Sequence, residues 1–232
     1  MFDIDIARSL FQVSVWALPT IVAITFHEAA HGFAAWKLGD DTAYRQGRVT
    51  FNPIRHVDGF GTLLLPALML ILSGGRFMFG YAKPVPVDFY KLRRPRRDIV
   101  LVAAAGPAVN ITLAIASALL LHGAPVLPDG VAGWAGENLV NSIFINLILA
   151  VFNLLPLPPL DGGRIAVGLL PYRLAAPLAR LERWGLLIIV LLLFILPMIG
   201  QEIGVDLNHL SSGIMTVVHQ LTLAIVTLTG LI

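Results

Sequence analysis

Apolar runs long enough to cross a lipid bilayer, parted by short charged loops, constrain this chain more than any other feature. A crossing takes about 20 helical residues at roughly 1.5 Å each. Runs of near-spanning length cover residues 10–36, 99–121, 139–160, 184–199 and 213–232, the fourth being short for a full crossing. A sixth stretch, 61–80, is broken by Pro66, Gly74, Gly75 and Arg76. Charged residues are only 13% of the chain, and the shortfall lies in these runs. Lipid offers backbone groups no partners, so such runs fold as helices. The expected fold is an all-α polytopic membrane protein with five to six transmembrane helices and a re-entrant element. It leaves room for short membrane-associated β-strands, one of them at 47–51 (GRVTF) in the polar loop 37–60. The N-terminal MFDIDIARSL lacks the pattern of a signal peptide and is expected to be mature sequence.

Basic residues set the orientation. Loop 83–97 holds six of them and segment 164–183 holds four arginines, whereas 98–163 has no Lys or Arg. Both basic segments are therefore expected in the cytoplasm. Segments 122–138 and 201–212 carry only acidic charge and are expected outside, with the C-terminus cytoplasmic after the last span.

The chain has no cysteine, so a tightly held metal must use His, Asp or Glu. The first run contains His27-Glu28-Ala29-Ala30-His31, an H-E-x-x-H sequence. Residues four apart on a helix share a face, so both imidazoles can reach one ion. Glu28 can reach a water beside that ion without taking a coordination position, which is why a zinc hydrolase wants this spacing. The plain alternative is a solvated pair of histidines at a helix end. Against it, ionisable groups inside an apolar span cost several kcal/mol unless they face a polar cavity or a metal.

A catalytic zinc takes three protein ligands and a water. The third candidate is Asp161, at the close of Asn153-Leu154-Leu155-Pro156-Leu157-Pro158-Pro159-Leu160-Asp161-Gly162-Gly163. The prolines remove helix donors and the Gly pair permits unusual dihedrals. Non-helical backbone at membrane depth is tolerated where it is buried or lines a cavity. The other reading is an ordinary helix stop, with Asp161 capping the next helix.

H-E-x-x-H in one span, followed by N-x-x-P-x-P-x-L-D-G-G in a later one, resembles the site-2 protease family of intramembrane zinc metalloproteases. Ala105-Gly106-Pro107-Ala108-Val109-Asn110 resembles that family's A-G-P-x-x-N helix start. Gly39-Asp40, Gly47-Arg48-Val49-Thr50, Asn52-Pro53, His56, Asp58 and Gly61-Thr62 resemble its compact prokaryotic members. The likeness runs from about Phe26 to Arg164, and no region is long enough for a PDZ insert.

The resemblance implies a site-2 protease-like core with one zinc per chain, held by His27, His31 and Asp161. It implies Glu28 as general base and Asn153 as a substrate or oxyanion contact. The whole of 1–232 is then one integral membrane metalloprotease domain, with a catalytic core at about 10–164 and C-terminal helices at 165–232. Its partners are the bilayer and a transmembrane protein or peptide substrate, with no nucleic acid. Its place is the prokaryotic plasma (inner) membrane, with the site near the cytoplasmic side. Two rivals stand beside it. A membrane metal transporter would spread polar groups along a path, whereas these converge. A non-catalytic membrane adaptor would commonly have lost one of the four key residues.

Zinc–ligand bonds of about 2 Å put His27, His31 and Asp161 at one depth. The first span then ends in the cytoplasm, and 61–80 is expected to enter and return; it would cross once, as a sixth span, only with His27 near mid-depth. Residues 80–87 are the place to look for an extended edge that pairs with an unwound substrate. His56 and Asp58 are expected to structure their loop rather than to act on substrate. The KLRRPRR cluster is read as a topology signal in preference to a lipid-headgroup site.

Overall fold

The computed structural model describes residues 6–72, 80 and 82–232. Helix α1 (Ile6–Lys37) carries the H-E-x-x-H sequence and stops at Gly39, whose φ of 114° suits glycine alone. A cap follows, made of α2 (Thr42–Arg45), a 3₁₀ turn (Pro53–His56), a π turn (Gly59–Leu64) and α3 (Leu65–Leu72). Helix α4 (Pro95–Leu121) starts with Pro at its first position, and Asp98 reaches back to accept the Arg94 N–H at 2.7 Å. Helix α5 (Asp129–Asn153) is followed by an irregular stretch and the short helices α6 (Asp161–Leu169) and α7 (Tyr172–Arg180). Helix α8 (Glu182–Val190), a π turn (Leu191–Ile195) and α9 (Leu196–Ile203) form one rod, and α10 (His209–Leu228) ends the fold.

Among the described residues five helices are long and apolar enough to cross a membrane: α1, α4, α5, the rod Glu182–Ile203 and α10. The fourth is thus longer than its apolar run, because helix continues into the polar Gln201-Glu202 end. The third starts at Asp129, ahead of its apolar run, where an acid in the first turn suits the helix dipole. It ends at Asn153 rather than Leu160, where the prolines begin.

Helices α1, α4 and α5 form the central bundle, and cross-span bonds fix their directions. Ser14 Oγ accepts from Trp134 Nε1 near the start of α5, and Val15 O from Asn141 Nδ2 at its middle. At the other end His31 meets Val102 near the start of α4. Helix α1 is therefore parallel to α5 and antiparallel to α4. The Arg93 N–H donates to Leu38 O at 3.1 Å, so the chain leaves α1 and enters α4 at the same end of the bundle. The two ends of the intervening chain thus share one face, in keeping with the shared depth of the three ligands; residues 73–79 of the expected re-entrant stretch 61–80 lie outside the described residues.

Three local expectations fail. Residues 47–51 are a turn and bends, not a strand, and no strand is present among the described residues. Residues 82–87, where an edge for substrate is expected, form no ladder within the chain, and Pro84 and Pro86 have no N–H to give; Tyr81, in that stretch, lies outside the described residues. The A-G-P-x-x-N segment sits inside α4 rather than at a helix start. Finally, His122 Nε2 donates to Thr229 O at 2.8 Å, which puts the end of α10 beside the end of α4. That is the face assigned as external, not the cytoplasmic face expected for the C-terminus. Alternation of spans, the only directional rule a hydropathy pattern offers, does not hold through the C-terminal helices.

Candidate metal centre

His27 and His31 lie one turn apart on α1, and Asp161 opens α6. All three are buried, at 7%, 9% and 6% exposure, in the heart of an apolar bundle. The two Nε2 atoms are 3.0 Å apart, and Asp161 Oδ2 is 3.2 Å from His27 Nε2 and 3.3 Å from His31 Nε2. Two ligands of a tetrahedral zinc, each at 2.0–2.2 Å, stand about 3.3 Å apart, so the triangle has the right size.

Hydrogen bonds on the far side of each ring fix which nitrogen faces this triangle. His31 Nδ1 is 2.7 Å from Val102 O, a pure acceptor, so Nδ1 carries the proton. His27 Nδ1 is 2.6 Å from Asn110 Oδ1. The Asn110 amide donates through Nδ2 to Ala23 O at 3.3 Å and to Asn146 Oδ1 at 2.8 Å, so Oδ1 must face His27 and accept. As neutral imidazoles, both rings therefore turn an Nε2 lone pair toward each other and toward a carboxylate oxygen. Three acceptors at 3.0–3.3 Å repel unless a cation sits among them. Two imidazoles and a carboxylate are a donor set that zinc takes, and these residues fit it.

The surroundings leave space for an ion. A Cβ built on Gly106 would come within 2.5 Å of His31 Nε2 and 2.7 Å of His27 Nε2, so only glycine clears this side of the centre. Gly162 and Gly163 also serve close approach. Positive φ occurs only at Gly39, Gly47, Gly204 and Gly230 among the described residues, so the unusual dihedrals expected of the DGG pair are not their role. A Cβ on Gly162 would collide with the Leu154 carbonyl, and one on Gly163 with Pro158 N. The pair lets the first turn of α6 lie on the irregular stretch after α5, which delivers Asp161 to the histidines.

Glu28 is half-buried beside them, and its Oε2 accepts the Val85 N–H at 2.9 Å. Residues 82–88 thus form a strap over the centre. Arg48 Nη2 donates to Lys83 O at 2.7 Å, the Lys83 N–H donates to His56 O at 2.9 Å, and the Asp88 N–H donates to Asp40 Oδ2 at 2.6 Å. His56 Nε2 in turn donates to Thr50 O, and Asp58 accepts from Phe60 N and Gly61 N at the π turn. Both side chains bond within their own loop, while the His56 carbonyl holds the strap.

A cavity of about 400 Å³ opens beside the centre. His27, Glu28, His31, Asp161, Asn153 and Arg164 supply its polar wall, and Ile24, Ile99, Leu149 and Phe152 much of the apolar one. Asn153, the last residue of α5, uses one N–H on Leu149 O. Leu186 and Ile189 of α8 also line it, so the C-terminal helices, which carry no motif, contribute to the wall. Sequence reasoning places Gly106 in a motif and Val85 in the stretch 80–87 but gives neither its role here, leaves out Val102 and Asn146, and gives Arg164 no part in the site. Asn146 carried a signal of its own, an amide deep in an apolar run.

Peptidase family M50 matches residues 131–196. YwhC of Bacillus subtilis, provisionally named a zinc metalloprotease, is 44% identical over 185 residues, which cover 77% of this chain and 78% of that protein. Rip2 of Mycolicibacterium smegmatis, named in the same way, is 34% identical over 195 residues, covering 82% of this chain and 71% of its own. No solved structure matches the chain. With two histidines and an aspartate converging inside an apolar bundle, and relatives of this closeness, the chain belongs to the site-2 protease family, peptidase family M50.

Proposed function

We propose that this protein is an intramembrane zinc endopeptidase that hydrolyses peptide bonds in or near transmembrane segments of other membrane proteins. The observation that carries this reading is the convergence of three buried lone-pair donors beside Glu28, on the wall of an apolar cavity. His27, His31 and Asp161 would hold one zinc. When bound, zinc supplies a Lewis acid that polarises the scissile carbonyl and makes water a stronger acid.

Glu28 does the proton work. The Val85 N–H fixes Oε2, which leaves Oε1 to take a proton from the attacking water and return it to the leaving amide nitrogen. Asn153 keeps one N–H beyond its bond to Leu149 O and is placed to donate to the developing oxyanion. The apolar wall of Ile24, Ile99, Leu149 and Phe152 suits the side chains of an unwound transmembrane segment. The basic segments 83–97 and 164–183 flank the end of the bundle that carries the site, which argues for a centre near the cytoplasmic face of a prokaryotic plasma membrane. In this reading 1–232 is one domain with its catalytic core at about 10–164.

The test is cleavage of a panel of single-span substrates by purified protein beside Glu28→Gln. The reading expects wild-type cleavage that a chelator stops and the variant lacks. Equal cleavage by both proteins removes Glu28 as the base. Zinc flux into liposomes without proteolysis would favour the transporter, and no metal and no cleavage the adaptor.

A further inference from the structure

The polar contacts do not stop at Asn110. They continue along the α4–α5 interface to Asn146, Ser142 and Ser117, where an apolar packing would serve a structural purpose equally well. Asn110 is 0% exposed and Asn146 1%, and neither lines the cavity. Asn146 Nδ2 donates to Ser142 O at 2.9 Å. A backbone carbonyl can only accept, so this bond fixes which end of the Asn146 amide is oxygen. That oxygen accepts from Asn110 Nδ2 at 2.8 Å and fixes the Asn110 amide in turn. The Ala23 carbonyl, at 3.3 Å, is the weaker of the two acceptors that Asn110 Nδ2 faces.

The consequence falls on His27. Were the Asn110 amide reversed, its NH₂ would face His27 Nδ1, the ring proton would move to Nε2, and that proton would point into the metal centre. We propose that Asn146 is a positioning residue that acts through Asn110 to hold His27 as its Nδ1–H tautomer, the form whose Nε2 can ligate a metal. The inference rests on the reading of His27 as a metal ligand. Asn146 bonds to neither ligand and does not line the cavity, so its route to His27 runs through the Asn110 amide.

The test uses the full chain in detergent, stripped of metal, with ¹⁵N-labelled histidine. Imidazole ¹⁵N shifts distinguish the two tautomers, and the spectrum of His27→Gln identifies the His27 signals. The metal-free wild type is expected to show His27 protonated at Nδ1; protonation at Nε2 there overturns the proposal without any variant. In Asn146→Leu the Nε2–H tautomer should grow, and zinc affinity, read by chelator competition, should fall about 10-fold, the low end for loss of a ligand's outer support. Ser117→Ala breaks the 2.8 Å Ser117–Ser142 contact further along the chain and should leave both readouts unmoved. An equal loss in Ser117→Ala would mean general packing and sink the idea. In an Asn110→Asp background either carboxylate oxygen can accept from His27, so adding Asn146→Leu should cost no further affinity; a full further loss there also overturns it. Wild type that binds no zinc would instead bring down the metal reading itself.

Discussion

Beneath the two histidines lie uncharged groups: the Asn110 amide, the Val102 carbonyl and the bare Cα of Gly106. Above Glu28 the strap 82–88 is pinned by a buried carboxylate, Asp40, and a buried guanidinium, Arg48. The difference follows from where each part sits. The floor is deep in the spans, where an unpaired charge costs several kcal/mol, so orientation is done with dipoles. The roof joins the loops at the end of the bundle, and charge-assisted bonds there are the stronger means of holding backbone. The two halves of one site should therefore fail differently under mutation and acid.

The floor can be broken most severely at the ligands. Asp161→Ala is expected to abolish stoichiometric zinc while leaving the helical fold, read by metal analysis and circular dichroism. Glu28→Gln separates chemistry from binding. It should keep zinc and lose about 10²–10⁴-fold in turnover, the usual contribution of a general base. Zinc lost along with activity in Glu28→Gln would mean that Glu28 holds the metal rather than a proton.

Gly106→Ala comes next, and it probes the floor with a single methyl group. The added carbon would sit 2.5–2.7 Å from both imidazoles, against α4 backbone that cannot retreat. Zinc affinity should fall about 10- to 100-fold, the range for damage to a ligand's support. Ala104→Gly, two residues earlier on the same helix, should leave zinc binding nearly intact, and a similar loss there would mean that general loosening of α4 is responsible.

What the sequence could tell about these two halves differs as well. His27, His31 and Asp161 were legible because their types, spacing and apolar setting point to one chemistry, whichever helices meet around them. Asn110 and Asn146 sit 83 and 36 residues from their bonding partners His27 and Asn110, and no local pattern announces such pairings. The direction of α10 was illegible for a related reason, since hydropathy marks a span but not which way it packs. The expected strand at 47–51 followed β-propensity, yet Arg48 and Val49 spend their groups on the strap and on Gly32 rather than on a ladder.

The roof should yield to smaller changes. Asp40 is fully buried and accepts from Thr42 N at 2.9 Å and Asp88 N at 2.6 Å. Burial pushes its carboxyl up, but the bonds from Thr42 and Asp88 outweigh this and hold it below its ordinary value of 3.8. A carboxylate depressed by folding adds stability that is fully present above its unfolded value and is lost as pH falls through the folded one. Below about pH 4 the strap should loosen while the neutral amides of the floor stay put, read as faster hydrogen exchange at Val85 and Asp88 than at Asn110. Asp40→Asn leaves one acceptor where two donors converge, and should cost about 1–3 kcal/mol at neutral pH.

The neighbouring carboxylate gives the smallest effect and the sharpest control. Asp41 is one residue along and has the same charge, but it pairs on the surface with Arg45 one helical turn on, at 2.6 Å, with the arginine side chain 76% exposed. Water screens that pair and both side chains give up freedom to form it, so a short distance does not make it strong. Arg45→Ala is expected to change stability by no more than about 0.5 kcal/mol and to leave strap exchange unaltered. An Arg45→Ala effect as large as that of Asp40→Asn would show that the roof is held by the net field of its charges rather than by bonds to buried backbone, and the contrast between the two halves of the site would then be one of burial alone.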